Sequence, residues 1–360
     1  MNICAIICEY NPFHEGHRFQ IETARRETDA SHIVCIMSGN YVQRGDVAVY
    51  DKWYRAECAI KGGADLVIEL PTPYVLTSAE FFAKSGVFLA KQMGAKTLSF
   101  GSECGDIEAL TKVASSLALP DTQEKIRNFL NEGLSYPSAV SKATESSLLD
   151  EPNNLLGIEY IKADPTLNFH TVKRTFAHDE GIGCASDIRK KIYSGEIKSD
   201  STPHFTEYAE KAILATLRKM TVDELAEISG CSEGLENRLK NALTDSCNIE
   251  TLCETTKSKR YPLSRIRRYI MCAFLGIKKG FPENPPYARI LAFNDKGREI
   301  ISYAKDVADI PIITKVSDGI SDVFNAECTA TDLYTLFSKE VSPCGLEFKK
   351  SPIYIKKEQL

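Results

Sequence analysis

The 360-residue chain is 43% hydrophobic and 26% charged, with a formal net charge of −5, a globular composition long enough for two domains. An acidic balance excludes nucleic-acid binding through total charge, so any RNA site must be a local basic patch. Nothing approaches the ~18 consecutive apolar residues of a membrane span, and the twelve cysteines form neither a Cys-x-x-Cys nor a zinc spacing, so the expectation is a reduced, cytoplasmic protein with no membrane segment and no metal held by its own ligands.

Ile3–Cys8 is an apolar run of strand length. Directly after it comes Glu9-Tyr10-Asn11-Pro12-Phe13-His14-Glu15-Gly16-His17, the sharpest motif in the chain, with a helix expected to begin near Gly16. A helix N-terminus offers backbone N–H groups and a partial positive charge to phosphate, and glycine lets the backbone approach a ligand closely. Two imidazoles three residues apart can face one phosphate, where donors lower the barrier to nucleotidyl transfer. The plain alternative is two histidines satisfied at a turn.

His32–Met37 reads as the second strand, followed by Ser38-Gly39-Asn40-Tyr41-Val42-Gln43-Arg44-Gly45, a polar loop suited to recognition or simply exposed. Lys52–Lys61 predicts a helix stopped by Gly62-Gly63. Leu66–Leu70 is a third strand, Ser78–Gln92 a buried helix and Thr97–Phe100 a fourth strand. Gly101 follows it, where a purine can lie against the backbone or the chain can merely turn. Ile107, Leu110, Val113, Ala114 and Leu117 mark one helix face. Asp121 is placed to cap the next helix, which Gly133 ends.

Asn153 and Asn154 stand at a helix start, as ligand contacts or as a cap. A weaker fifth strand, Phe169–Val172, ends on Lys173-Arg174, two cations for phosphate or a solvated pair. Cys184-Ala185-Ser186-Asp187-Ile188-Arg189 opens another helix, with Ser186 either capping it or gripping phosphate. Alternation of buried strands and helices predicts an α/β fold with a Rossmann-like, doubly wound parallel sheet, binding its ligand at the strands' carboxyl ends.

Beyond the polar stretch Lys198–Pro203 the patterns turn helical: Thr206–Lys219, Val222–Ile228, Glu233–Leu243, Arg265–Leu275 and Ala288–Phe293. This divides the chain into a catalytic domain over 1–200 and a mainly helical domain over 201–360. Within the latter, Thr255–Lys279 carries Lys257, Lys259, Arg260, Arg265, Arg267, Arg268, Lys278 and Lys279 without one acidic residue, and Tyr261 and Tyr269 lie among them. Such a block suits a phosphate backbone with stacked bases, or is a solvated helix face.

His14-Glu15-Gly16-His17 after strand one resembles the nucleotidyltransferase superfamily signature shared with class I aminoacyl-tRNA synthetases, and Ser186 with Arg189 resembles its second motif. More of the chain is similar to the bacterial tRNA(Met) cytidine acetate ligase family: Glu9–His17, Ser38–Gly45, Asp51-Lys52-Trp53, Gly63–Pro71, Ser78–Phe82, Ser99–Glu103, Ser135-Tyr136-Pro137 and Asn153–Tyr160, in order. That resemblance implies an ATP site on Cys8, Glu9, Tyr10, Asn11, Pro12, Phe13, His14, Glu15, Gly16, His17, Arg18, Phe19, Gln20, Gly101, Asn153, Asn154, Lys173 and Arg174. It implies His14 and His17 as the catalytic pair, Arg174 and Arg189 on the outer phosphates, and Mg2+ to neutralise charge. Acetate would be activated as acetyl-adenylate and passed to the wobble cytidine of elongator tRNA(Met), with no protein partner expected. Cys184 departs from the pattern, standing near the place of a hydroxyl. Two other readings fit the residues alone: a nucleotidyltransferase acting on a small metabolite, and a non-catalytic RNA-binding protein that keeps a nucleotide pocket.

Overall fold

The computed structural model describes residues 1–134, 136–174, 184–199, 201–314, 321–356 and 358. Ser135 of the Ser-Tyr-Pro string and Asp200 of the polar stretch lie outside them. Among the described residues ten strands occur in order: β1 (Ile3–Cys8), β2 (His32–Ser38), β3 (Tyr41–Val42), β4 (Asp46–Val47), β5 (Leu66–Leu70), β6 (Thr97–Ser102), β7 (Asn168–Lys173), β8 (Ala288–Phe293), β9 (Ile312–Ile313) and β10 (Ile353–Tyr354). The main sheet runs β10-β8-β5-β2-β1-β6-β7, with β9 beside β8, while β3 and β4 pair apart. Only β5–β8 is antiparallel in the main sheet. Strand order grows outward from β1 through β2 and β5, then returns to its other side with β6 and β7. The reversal leaves a crevice at the carboxyl ends of β1 and β6, where doubly wound sheets bind ligands.

Alternation along β1 builds both faces. Ile3, Ala5 and Ile7 join the core with Phe82, Phe100 and Tyr160, whereas Cys4, Ile6 and Tyr10 pack with Ile21 and Trp53. The helix Lys52–Lys61 has the expected bounds, with Asp51 accepting from the Tyr54 amide at its start and Gly62 at its end. The helix expected to be capped by Asp121 begins two residues earlier, at Pro120; proline's fixed φ suits the first helical position, and Leu119 occupies the cap without a side-chain bond.

After residue 201 the chain is mainly helical, with a second apolar core among the helices Thr206–Lys219, Leu235–Ala242, Ile249–Thr256 and Leu263–Leu275. Ala288–Phe293, expected as a helix, is instead strand β8, antiparallel to β5. A short, mostly apolar run cannot be told from a buried helix by periodicity; pairing within the sheet, between β5 and the short strands β9 and β10, decides it. Among the described residues no helix is long and apolar enough to cross a membrane.

Candidate active site

The chain leaves β1 through Glu9 and turns at Tyr10, which takes φ 47°. His14 then caps the helix Glu15–Glu27. His14 Nδ1 accepts from the Gly16 amide at 3.1 Å, and His17 Nδ1 accepts from the His14 amide at 3.3 Å. The two rings stack with centroids 3.8 Å apart. A ring nitrogen that accepts carries no proton, so each neutral imidazole holds its hydrogen on Nε2 and offers it as a donor. Burial, then His14 and Arg174, hold His17 well below the ordinary histidine range. The Gly16 amide, expected to be free for phosphate, is engaged by His14. A Cβ on Gly16 would stand 2.9 Å from His14 Cε1, so the glycine makes room for that ring.

Other residues of the motif hold the turn itself. Tyr10 is buried, with its hydroxyl against Cys35 Sγ at 3.3 Å and its ring against Phe13 and His17. Asn11 Oδ1 accepts from the Val49 amide at 2.8 Å, and the Asn11 carbonyl accepts from Arg189 Nη1 at 2.7 Å. The second motif is thereby clasped to the first across 178 residues. Arg55, fully buried, donates to the carbonyls of Glu9, Ser38, Gly39 and Tyr50. It ties the carboxyl ends of β1 and β2 together, a role with no sequence signal beyond its place in a helix.

A cleft of about 1730 Å³ lies over this edge. Cys8, Glu9, Tyr10, Asn11, His14, Gly16, His17, Phe19 and Gln20 line it, with Gly101, Asn153, Lys173, Arg174, Ser186 and Arg189. Pro12, Phe13, Glu15, Arg18 and Asn154 are not in its lining. Phe13 packs against Gly62, Arg18 pairs with Glu15 at 3.4 Å, and Asn154 is buried. Neither asparagine caps its helix, because Glu151 occupies that position. Asn154 Oδ1 instead accepts from the amides of Glu103 and Cys104, while Glu103 accepts from the amides of Asn153 and Asn154, a reciprocal clasp on the end of β6. Arg174 lies over Gly101, its Cγ 3.5 Å from where a Cβ would be. At the second motif Cys184 is the cap, not Ser186; its Sγ meets Ser186 Oγ at 2.7 Å.

Part of the basic block lines this cleft as well. Lys259, Arg260, Arg265, Arg267 and Arg268 line the same cleft; Lys257 does not, and reaches Glu254 at 3.4 Å. Arg265 pairs with Glu233 at 3.0 Å and lies over the Tyr261 ring. Arg268 reaches the Gln43 carbonyl at 3.5 Å, and a Cβ on Gly45, at φ 78°, would collide with the Arg268 backbone. Tyr261 and Tyr269 are buried, their hydroxyls donating to the carbonyls of Glu233 and Leu225, so neither is placed to stack on a base.

The family described as HIGH Nucleotidyl Transferase matches residues 1–347. The chain is 36% identical to a tRNA(Met) cytidine acetate ligase of Alkaliphilus metalliredigens, over 94% of this chain and 95% of that one. It is 37% identical to a protein of the same name from Caldanaerobacter subterraneus, over 97% and 98%. Thermotoga maritima TmcAL, solved with alpha-thio ATP, superposes with a TM-score of 0.90 at 30% identity, covering 99% of this chain and 100% of that one.

Proposed function

The chain belongs to the HIGH nucleotidyl transferase family and, within it, to the tRNA(Met) cytidine acetate ligases, and from that premise we propose that it uses ATP to join acetate to N4 of the wobble cytidine of elongator tRNA(Met). One observation carries the reading: the His14/His17 pair and Lys259, Arg260, Arg265, Arg267 and Arg268 of the basic block line a single cleft. A metabolite nucleotidyltransferase has no use for the basic residues, and an RNA-binding module has no use for the histidine pair. We assign residues 1–200 to adenylation and 201–360 chiefly to tRNA binding.

Acetate oxygen attacks the α-phosphate of ATP, and pyrophosphate leaves with the electrons of the broken P–O bond. The Nε2–H donors of His14 and His17 stabilise the charge that develops there. Lys173, Arg174, Ser186 and Arg189 hold the triphosphate, and Gly101 leaves room for the adenine. Mg2+ supplies further charge neutralisation while bound to the phosphates. The carboxylate trio Glu69, Glu327 and Glu347 is already paired with the buried Lys52. The cytidine amine then takes the acetyl group in the same cleft, where the mixed anhydride is shielded from water. An anticodon loop suits this because its bases can be splayed out of the stack.

Purified protein with ATP, Mg2+, acetate and unmodified elongator tRNA(Met) is expected to yield N4-acetylcytidine at the wobble position, read by nucleoside mass spectrometry, while acetyl-CoA without ATP yields none. Stimulation of ATP–pyrophosphate exchange by another small acid but not by acetate would overturn the assignment of the acid.

A further inference from the structure

Glu9 is among the cleft residues that the adenylation chemistry leaves unused. Glu9 lines the cleft immediately after β1. Its Oε1 accepts from the Gln43 amide at 2.7 Å, and among the described residues none donates to Oε2. A carboxylate is a poor neighbour for a triphosphate, since like charges repel. It is a good acceptor for an amine hydrogen, and cytosine presents its N4 amino group as a donor that Asp and Glu accept.

Its place on the sheet separates it from the phosphate-binding side. Glu9 continues the series Ile3, Ala5, Ile7, whose face packs with Phe82, Phe100 and Tyr160; the histidine pair belongs to the opposite face, beside Tyr10. Phe82, Phe100 and Tyr160 also line the cleft, and the Phe100 and Tyr160 rings lie 5.6 Å apart. All three rings are buried, so they back the cleft beside Glu9 without offering a stacking platform, and the cytosine is placed by its exocyclic amine at the Glu9 carboxylate.

We propose that Glu9 is a further catalytic residue of the acetyl transfer: its free oxygen accepts one N4–H of the cytosine and takes that proton as the amine attacks. This rests on the acetate-ligase reading above. In the step the N4–carbon bond forms and the bond from the acetyl carbon to the phosphate oxygen breaks. AMP leaves with that electron pair, one N4 proton passes to Glu9 and then to solvent, and the other stays on the amide. The amine of cytosine is conjugated with its ring and a weak nucleophile, so removal of its proton is the point at which a base helps. Burial raises the Glu9 carboxyl above its ordinary range, against the pull of the Gln43 amide and of Arg44, Arg55 and Arg189, and Tyr160 faces it from the Pro152–Ala163 helix.

The test separates the two half-reactions in Glu9→Gln, whose amide oxygen can still accept from Gln43. Acetate-dependent ATP–pyrophosphate exchange reads the first, and single-turnover transfer from preformed acetyl-adenylate to unmodified tRNA reads the second. Transfer is expected to fall on the order of 100-fold more than exchange. The wild-type transfer rate should rise with pH along a limb starting above the usual carboxylate range, and the variant should lack that limb. Transfer unchanged, both half-reactions falling together, a raised KM for ATP alone, or a persisting limb would each overturn the role of Glu9. Absence of acetate-dependent exchange in the wild type would instead overturn the acetate-ligase reading itself.

Discussion

At the scale of single residues, the histidine pair is both structure and chemistry. Each Nδ1 is committed to a backbone amide, which fixes the tautomer and leaves the ring hydrogen on Nε2. His17 stays neutral because burial disfavours its charged form, so it acts as a hydrogen-bond donor and not as a cation. His17→Ala is therefore expected to lower acetate-dependent ATP–pyrophosphate exchange by on the order of 100-fold or more. The lost capping bond should cost only about 1 kcal/mol of stability, read as a small shift in the urea midpoint. Exchange near the wild-type rate would remove His17 from the machinery. These residues were legible because strand, asparagine–proline, glycine and helix fell in register around them. Arg55 was not: a buried guanidinium bonding four carbonyls reads, in sequence, like any arginine on a helix. Tyr269 misled in the other direction, since a tyrosine among cations looks like a stacking platform until its burial is seen.

At the scale of elements, a buried charge network joins the C-terminal segments to the sheet. Lys52, at the start of its helix, meets Glu69 on β5, Glu327 on the helix Asp322–Tyr334 at 3.0 Å, and Glu347 on the short helix Leu346–Lys349 at 2.5 Å. Arg289 on β8 meets Glu69 and Glu347. Three carboxylates share two cations. Burial and Glu327 accordingly raise Glu69 well above the usual carboxylate range, against Lys52 and Arg289. Removing one cation leaves buried negative charge unopposed. Lys52→Met is expected to destabilise the fold by about 3–5 kcal/mol, measured as a lowered urea midpoint at unchanged slope; a loss below about 1 kcal/mol would mean that water or protonation compensates the cluster. The sequence disclosed the helix and strand that carry Lys52 and Glu69, since caps and β-branched runs are local signals. It hid the network, because Arg289, Glu327 and Glu347 lie more than 200 positions away, and β8 was mistaken for a helix for want of its partner strand.

At the scale of the whole molecule, the doubly wound sheet explains why two distant sequence signals meet. The crevice beside β1 opens at the carboxyl edge, and the helix Leu263–Leu275 brings the basic block over it. The tight approach of Gly45 to Arg268 fixes the block to the loop after β2. The geometry also sorts the cations. Arg268 holds that loop and Arg265 holds Glu233, whereas Lys259, Arg260 and Arg267 are exposed. Charge reversal at these three is therefore expected to weaken tRNA(Met) binding while lowering acetate-dependent exchange far less. Wild-type affinity should fall with salt at a log–log slope of about −0.7 per phosphate neutralised where contacts are single-stranded, and the variant's slope should be shallower. Reversal at Arg268 should act differently, impairing transfer from preformed acetyl-adenylate beyond its effect on tRNA binding, because its guanidinium holds the Gln43 carbonyl and, through the Gln43 amide, Glu9. Filter binding across a salt series, run beside the exchange and transfer assays, distinguishes the two. If the triple variant keeps both its affinity and its salt slope, the tRNA backbone lies elsewhere, and the basic residues of the cleft serve the triphosphate instead.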